Sequence, residues 1–435
     1  MPRSVLLRVF GVAILAACVG VCVAPVETSP TPPSSSTPPP PPLLEETPPP
    51  VEPPTAPAED IRSVANNGNE FGLDLYKRLA KNTKENLIVS PYSISSALAM
   101  TYAGARGQTA AEMARTMRFA LPPERLHPAV GATTHKLQSA DADGQRLNIA
   151  NSLWGQSGVK FSPDFLNLTR KNYGAGFREL DFQANPESAR GTINGWVSDK
   201  TNKMIPELIR KGEINEGTRL VLTNAIYFRG LWDTPFEKKN TKDDKFKLTA
   251  TETVPVKMMN SYVSLWYSET KDYQVVVLPY KNKYRSMIVV VPRAVDGVAA
   301  VEQTFTPADV KSWYANGTTA IVRLALPVFK AGFRDNLGPM LQAMGMKSAF
   351  ERGADFSGLG VDFEFYLSVV LHEAVVEVNE EGTKAAAATA VVGVTPVSAQ
   401  IIPKEVVVRA DHPFLFMIYD SATENILFVG RFAKP

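Results

Sequence analysis

Between Asn69 and Lys81, apolar Phe71, Leu75 and Leu79 recur every fourth residue, the spacing that lines one face of an α-helix. The same reading predicts a second helix after Ser90-Pro91, carrying SISSALAMTYAGA, and a third from Thr109 to Arg118. Farther along, the pattern shifts to β-branched and aromatic runs: TRLVLTNAIYF (218–228), YQVVVLPY (273–280), SMIVVVP (286–292) and YLSVVLHEAVVEVN (366–379). These predict strands. Helices come first, then helices and strands mixed, then mostly strands, which predicts an α+β fold rather than a regular βαβ alternation. No repeat or linker interrupts the chain after about residue 61, so one domain is expected over 61–435.

The N-terminal segment departs from this pattern. Residues 1–24 carry Arg3 and Arg8 and run apolar through VFGVAILAAC, the layout of a signal peptide. Leu15-Ala16-Ala17-Cys18 resembles the bacterial lipobox, in which the cysteine is lipidated and becomes the first mature residue. Plain cleavage near Cys22-Val23-Ala24 is the other reading. Either way export is expected, as a membrane-anchored surface or periplasmic lipoprotein or as a secreted, extracellular protein. The apolar run is too short for a permanent membrane helix. Residues 25–57 hold 15 prolines in 33 positions. They lack backbone donors, so 25–60 reads as a disordered, semi-rigid tether that spans roughly 100 Å when extended.

Composition narrows the chemistry. Lys and Arg number 46 against 44 Asp and Glu, which leaves no field for nucleic acid. The basic stretches TRKNYGAGFR (169–178) and KKNTKDDKFK (238–247) read as solvated faces. Both cysteines, Cys18 and Cys22, lie in the leader, so the folded part has no disulfide and no thiolate chemistry. The sequence contains no HExxH helix, GxSxG elbow or GxxxxGK[ST] loop. Asp355 and Asp362 lie in turn-like GADFSGLGVDF, and His372 in an apolar strand reads as a hydrogen-bonded core residue. Neither an enzyme nor a bound cofactor or metal is expected.

Six stretches then point to one family. NLIVSPYSISSALAM (86–100), IANSLWGQ (149–156), INGWV (193–197), LTNAIYFRGLWDTPF (222–236), HEAVVEVNEEGT (372–383) and ADHPFLFMIYD…ILFVGRF (410–432) resemble the serpin motifs, in family order and spacing. The resemblance implies three β-sheets, eight or nine helices and an exposed reactive-centre loop. It also implies an irreversible suicide-substrate inhibitor of serine, and also cysteine, endopeptidases. A protease cleaves the loop, and the loop inserts into the main sheet and traps the acyl-enzyme. Such a chain must be metastable, trapped above its inserted form. By the same resemblance Ser90, Ser93, Asn224 and His372 form the polar cluster where the main sheet parts, and Trp232 is the aromatic where insertion begins. The alternative is a non-inhibitory serpin-fold binding protein at the cell surface.

The residues of the loop support insertion. In a strand every second side chain faces the same way. From the hinge Glu380-Glu381-Gly382, the inward set is Thr383, Ala385, Ala387 and Thr389, each small and uncharged, while Lys384 falls on the outward parity. A lysine on the inward set would be buried without a partner, at a cost of several kcal/mol. Gly382 supplies backbone freedom, and no proline occurs from Glu380 to Thr395 to interrupt a ladder.

The usual family loop length puts the cleaved bond at Pro396-Val397, although few serine proteases accept proline there. Val397-Ser398 suits a shallow elastase-like pocket and ranks first, followed by cleavage after Val394 and then after Pro396. No Arg or Lys lies between Lys384 and Lys404, so an elastase-like or subtilisin-like target is expected over a trypsin-like one. The inhibitor is expected to be a monomer.

Overall fold

The predicted first helix starts well before Asn69. In the computed structural model α1 spans Ala58–Lys81, with Ile61, Val64 and Ala65 buried ahead of Phe71. The sequence Asn66-Asn67-Gly68 has poor helix propensity, but packing of the apolar stripe overrides it. The expected boundary at residue 61 therefore falls inside α1, whose Asp60 is buried and accepts from Arg125 Nε at 3.0 Å. The structure describes residues 52–139, 145–174, 176–281, 283–360, 364–383 and 404–435. The leader with Cys18, most of the tether, Asp362 and the loop beyond Thr383 lie outside the described residues.

The described residues form nine α-helices and fifteen strands. After α1 come β1 (Leu87–Val89), α2 (Pro91–Tyr102), α3 (Gly107–Met117), α4 (Pro123–Ser139), β2 (Arg146–Gln156), α5 (Pro163–Tyr173), β3 (Phe177–Leu180), α6 (Pro186–Lys200) and β4 (Leu220–Leu231). The middle of the chain supplies β5 (Lys242–Lys247), β6 (Thr253–Glu269), β7 (Tyr273–Pro279), β8 (Arg285–Pro292), α7 (Val298–Thr304), α8 (Pro307–Asn316), β9 (Thr318–Pro327) and β10 (Phe329–Asn336). The last part adds α9 (Gly338–Ala343), β11 (Leu367–Asn379), β12 (Gly382–Thr383), β13 (Glu405–Arg409), β14 (Phe414–Asp420) and β15 (Asn425–Phe432). The α2 start shows local logic at work: Pro91 begins the helix and the Ser90 side chain accepts from Ser93 N–H at 3.2 Å.

Six strands form one sheet in the order β10-β11-β12-β4-β2-β3. The other nine are connected as β1-β15-β14-β8-β7-β6-β9-β13, with β5 on β6. The connection between β7 and the β6-β9-β13 group rests on Trp266–Glu269, the end of β6. These nine strands are thus two sheets joined through one long strand, and the six-stranded sheet makes the third. That is the α+β architecture expected from the motifs.

The inner face of the six-stranded sheet (Ile226, Phe228, Ala374, Val376, Val378) packs on Val276, Val289 and Phe416 of the other sheets. Its outer face (Val221, Ala225, Leu371, Val375) is covered by Ile193 and Val197 of α6 and by Ile205 to Ile214. The central strands β4 and β11 are therefore buried on both sides, so their sequences read as continuous apolar runs. A polar residue on either strand stands out against that background.

Candidate functional site

Strands β4 and β11 run parallel and pair from Leu220 to Tyr227 and from Leu367 to Val375. Past that seam they separate, and β12 enters between them, antiparallel to both. Gly382 pairs with Asn379 and Leu231, and Thr383 with Val378 and Gly230. The first two residues of the loop thus already occupy the gap. Only glycine fits at 382. Its φ is +151°, and an added Cβ would lie 2.0 Å from the Gly230 carbonyl oxygen. Thr383 is fully buried, on the inward parity read from the sequence, and its hydroxyl shares a 2.7 Å hydrogen bond with that of Tyr280.

The hinge is tied down residue by residue. The Tyr280 ring stacks on Trp232, with centroids 4.7 Å apart, and Trp232 Nε1 donates to the Asn379 carbonyl at 2.9 Å. Trp232 N–H donates to Glu381 O at 3.0 Å, and Phe236 N–H to Glu380 O at 2.8 Å. Thr241 Oγ1 donates to the Glu380 carboxylate at 2.8 Å, while Lys238 pairs with Glu381 at 2.7 Å. The stretch 238–247 is therefore not wholly a solvated face: Lys238 and Thr241 hold the hinge acids.

Farther down the seam, Ser90, Ser93, Asn224 and His372 lie together. His372 and Asn224 stand opposite each other across the two strands, and His372 Nδ1 donates to Asn224 Oδ1. His372 Nε2 accepts from Ser90 N–H at 3.4 Å. Burial pushes the imidazole down to about 3, so it is neutral at physiological pH, with its proton on Nδ1. Asn224 Nδ2 donates to Ser93 Oγ at 2.6 Å and to Asn151 Oδ1 at 2.5 Å. Asn151 was missed by the sequence reading. Its signal was an asparagine in the strand run IANSLWGQ, and the register places it opposite Asn224. Trp232 lies apart from this cluster, at the hinge. The arrangement has no nucleophile–base pair. It is a seam with a polar latch and an inserted start.

The family model described as "Serpin (serine protease inhibitor)" matches residues 66–435. The chain is a serpin. It is 39% identical to the leukocyte elastase inhibitor of Bos taurus over 381 residues, which is 84% of this chain and 97% of that one. Its structure is similar to that of maspin, with TM-score 0.78 and 26% identity over 87% of this chain and all of the other. It is also similar to the native state of the thermophilic serpin tengpin, with TM-score 0.75 and 31% identity over 85% and 94% of the two chains. Of this serpin's expected loop residues, Ala385, Ala387, Thr389, Val394, Pro396, Val397 and Ser398 lie outside the described residues.

One further group bears on the seam. Glu373, beside His372 on β11, points to the outer face, where Arg334 of β10 stands directly opposite. Arg334 is occupied by Glu213 and by the Leu208 carbonyl, at 2.7 Å for the latter. Glu373 Oε2 is left without a hydrogen-bond partner. Burial outweighs the attraction of Arg334 and Arg210 and holds the carboxyl up to about 7. A raised carboxyl pKa means that the native state keeps a proton the unfolded chain has lost. Stability therefore falls as pH rises from about 4.5 to 7. Glu373→Gln is expected to raise the melting temperature at pH 8 and leave it nearly unchanged at pH 4.5. The gain is on the order of 1–2 kcal/mol after allowance for partial exposure. Thermal unfolding at the two pH values measures it, and equal shifts at both would contradict the assignment.

Proposed function

We propose that this serpin is an irreversible, single-use inhibitor of serine endopeptidases with elastase-like specificity. The observation that carries the reading is the inserted start of the loop: Gly382 and Thr383 are already strand, paired on both sides. In the proposed inserted form, the register of Gly382 and Thr383 carried onward would set Ala385 between Val376 and Phe228, Ala387 between Ala374 and Ile226, and Thr389 between His372 and Asn224. Each of these inward residues is small, as a closely packed interior requires. Outward Lys384 comes level with Glu377, a carboxylate that also pairs with Lys330 at 2.9 Å. On the β4 side the register runs out at Leu220, opposite Gly393. The candidate bonds at Val394, Pro396 and Val397 lie just beyond, so cleavage there frees nearly the whole insertable strand, about 37 Å long.

The chemistry is the protease's own. Its serine oxygen attacks the loop carbonyl, the C–N bond breaks, and the new amine leaves with a proton, so the loop is held as an ester. Insertion must then outrun attack by water on that ester. To pass Thr389 it must separate His372 from Asn224, which makes the polar latch the gate. Each ladder hydrogen bond gained contributes roughly 1 kcal/mol, and the separated seam regains a strand on both sides. Similarity to leukocyte elastase inhibitors and the absence of Arg and Lys from 385 to 403 both support an elastase-like target.

Leukocyte elastase incubated with the full chain is expected to give a complex stable to denaturing gels, with release of a C-terminal peptide beginning at Ser398. A peptide beginning at Thr395 or Val397 would move the bond to one of the other candidates. Cleavage without any complex would overturn the inhibitory reading. Thr383→Arg places a guanidinium at a fully buried position, so cleavage should persist while complex formation falls at least tenfold, as read by titrated stoichiometry. An unchanged stoichiometry would refute the register.

Export by the leader and lipid anchoring at Cys18 complete the proposal, with the proline-rich tether holding the inhibitor off a membrane. Mass spectrometry of the mature N-terminus should find a lipidated Cys18, and an N-terminus just after Ala24 would replace the anchor with plain secretion.

A further inference from the structure

The outer face of the seam carries a strap. Residues 201–219 run from the end of α6 over β11 to a contact with β10, then return to the start of β4. Ile205, Leu208, Ile209 and Ile214 of the strap pack with Val369, Leu371 and Val375. On one side the strap is fastened to α6. Asn194 Nδ2 donates to the Ile209 carbonyl and Asn194 Oδ1 accepts from Ile209 N–H, both at 2.8 Å. The helix is fastened in turn to β2, where Asn148 Nδ2 donates to the Lys200 carbonyl at 2.8 Å and Trp154 meets Trp196 edge to face. On the far side Arg334 of β10 holds the strap. Its Nε donates to the Leu208 carbonyl at 2.7 Å, and its Nη2 donates to the Glu213 carboxylate.

A strand inserted between β4 and β11 divides these attachments. Strands in a sheet lie about 4.8 Å apart, so β10 and β11 move away from β4 by that distance. The strap stays with α6, β2 and β4. A 2.7 Å bond lengthened by a strand's width is out of hydrogen-bonding range, so Arg334 loses its strap acceptors as the seam parts. The Arg334 side chain is only 13% exposed, and a guanidinium left unpaired in such surroundings is costly. The β10–β11 ladder lies wholly to one side of the seam, so it moves as a unit, with Glu373 directly opposite Arg334. In the closed sheet Glu373 Oε2 has no hydrogen-bond partner. The charged groups around this carboxyl are Arg334 from β10 and Arg210 and Glu213 from the strap, while β4 presents Ala225.

We propose that Arg334 is a positioning residue for trapping, which clasps the strap while the sheet is closed and passes to Glu373 when the sheet parts. This inference rests on the inhibitory reading above and adds to it the exchange that releases the strap. An ionised Glu373 draws the guanidinium strongly and a protonated one weakly. The exchange therefore favours insertion above the titration of this carboxyl and fades below it.

The stoichiometry of inhibition of leukocyte elastase by the full chain reads insertion against hydrolysis of the acyl-enzyme. Glu373→Gln is expected to raise it at least twofold at pH 8 and to leave it at the parent value at pH 5.5. No rise at pH 8, or an equal rise at both, would overturn the exchange and leave the inhibitory reading standing. Glu213→Ala supplies a readout that needs no protease. With its strap carboxylate gone, Arg334 turns to Glu373 in the closed sheet and lowers the pKa of that carboxyl. The fall in melting temperature between pH 4.5 and 7 should then shrink by at least half. A fall as steep as the parent's would mean that Arg334 does not reach Glu373, and would also overturn the exchange. A parent that forms no complex would remove the inhibitory reading, and the exchange with it.

Discussion

Everything distinctive about this chain depends on the parallel ladder between β4 and β11. It joins the two halves of the six-stranded sheet, and it is also the one seam the protein must be able to part. Covering both faces with apolar packing makes the seam strong, so the fold weakens it at chosen points. Past Tyr227 and Val375 the two strands no longer pair, and two loop residues wedge them. At Asn224 and His372 the apolar run gives way to polar groups that bond across the gap. Such bonds contribute modestly in the closed state, because the same groups can satisfy an inserted neighbour. Apolar packing broken at that point would have no such replacement.

The hinge shows the same division of labour at atomic scale. Gly382 and Gly230 let two backbones approach to a distance that no side chain permits, and Tyr280 and Trp232 close the space above them. Glu380 and Glu381 stay anchored through Thr241 and Lys238, so the loop leaves the sheet from a defined point. Glu373 works in the other direction. A half-buried carboxylate whose natural partner is engaged by Glu213 raises the energy of the closed sheet, which is what a metastable state requires.

Much of this was legible in the sequence where the signal is local. The twofold alternation after Gly382 identified Thr383 as an inward residue, because strand parity needs no knowledge of partners. His372 could be read as hydrogen-bonded because a histidine in an apolar run must be satisfied. The start of α1 was missed because Asn66-Asn67-Gly68 argues locally against a helix, and only the packing of Ile61 and Val64 overrides it. Tyr280 and Thr241 gave no warning. They reach the hinge from strand ends far away in sequence, where nothing in the neighbouring residues records the contact. Asn151 is intermediate, visible as a polar residue in a strand but without a partner until the register placed it.

The pairing of β1 with β15 has a consequence for how the molecule is made. Leu87–Val89, near the start of the domain, needs Val429–Arg431, almost its last residues, to complete its sheet. During translation the early helices must therefore wait beside an unfilled slot until the ribosome has moved past Arg431. Contacts so distant in sequence form slowly, and the interval exposes unpaired strand edges. Native assembly then becomes a race between two late arrivals: the C-terminal hairpin that seals one sheet, and the loop that would prematurely fill the other.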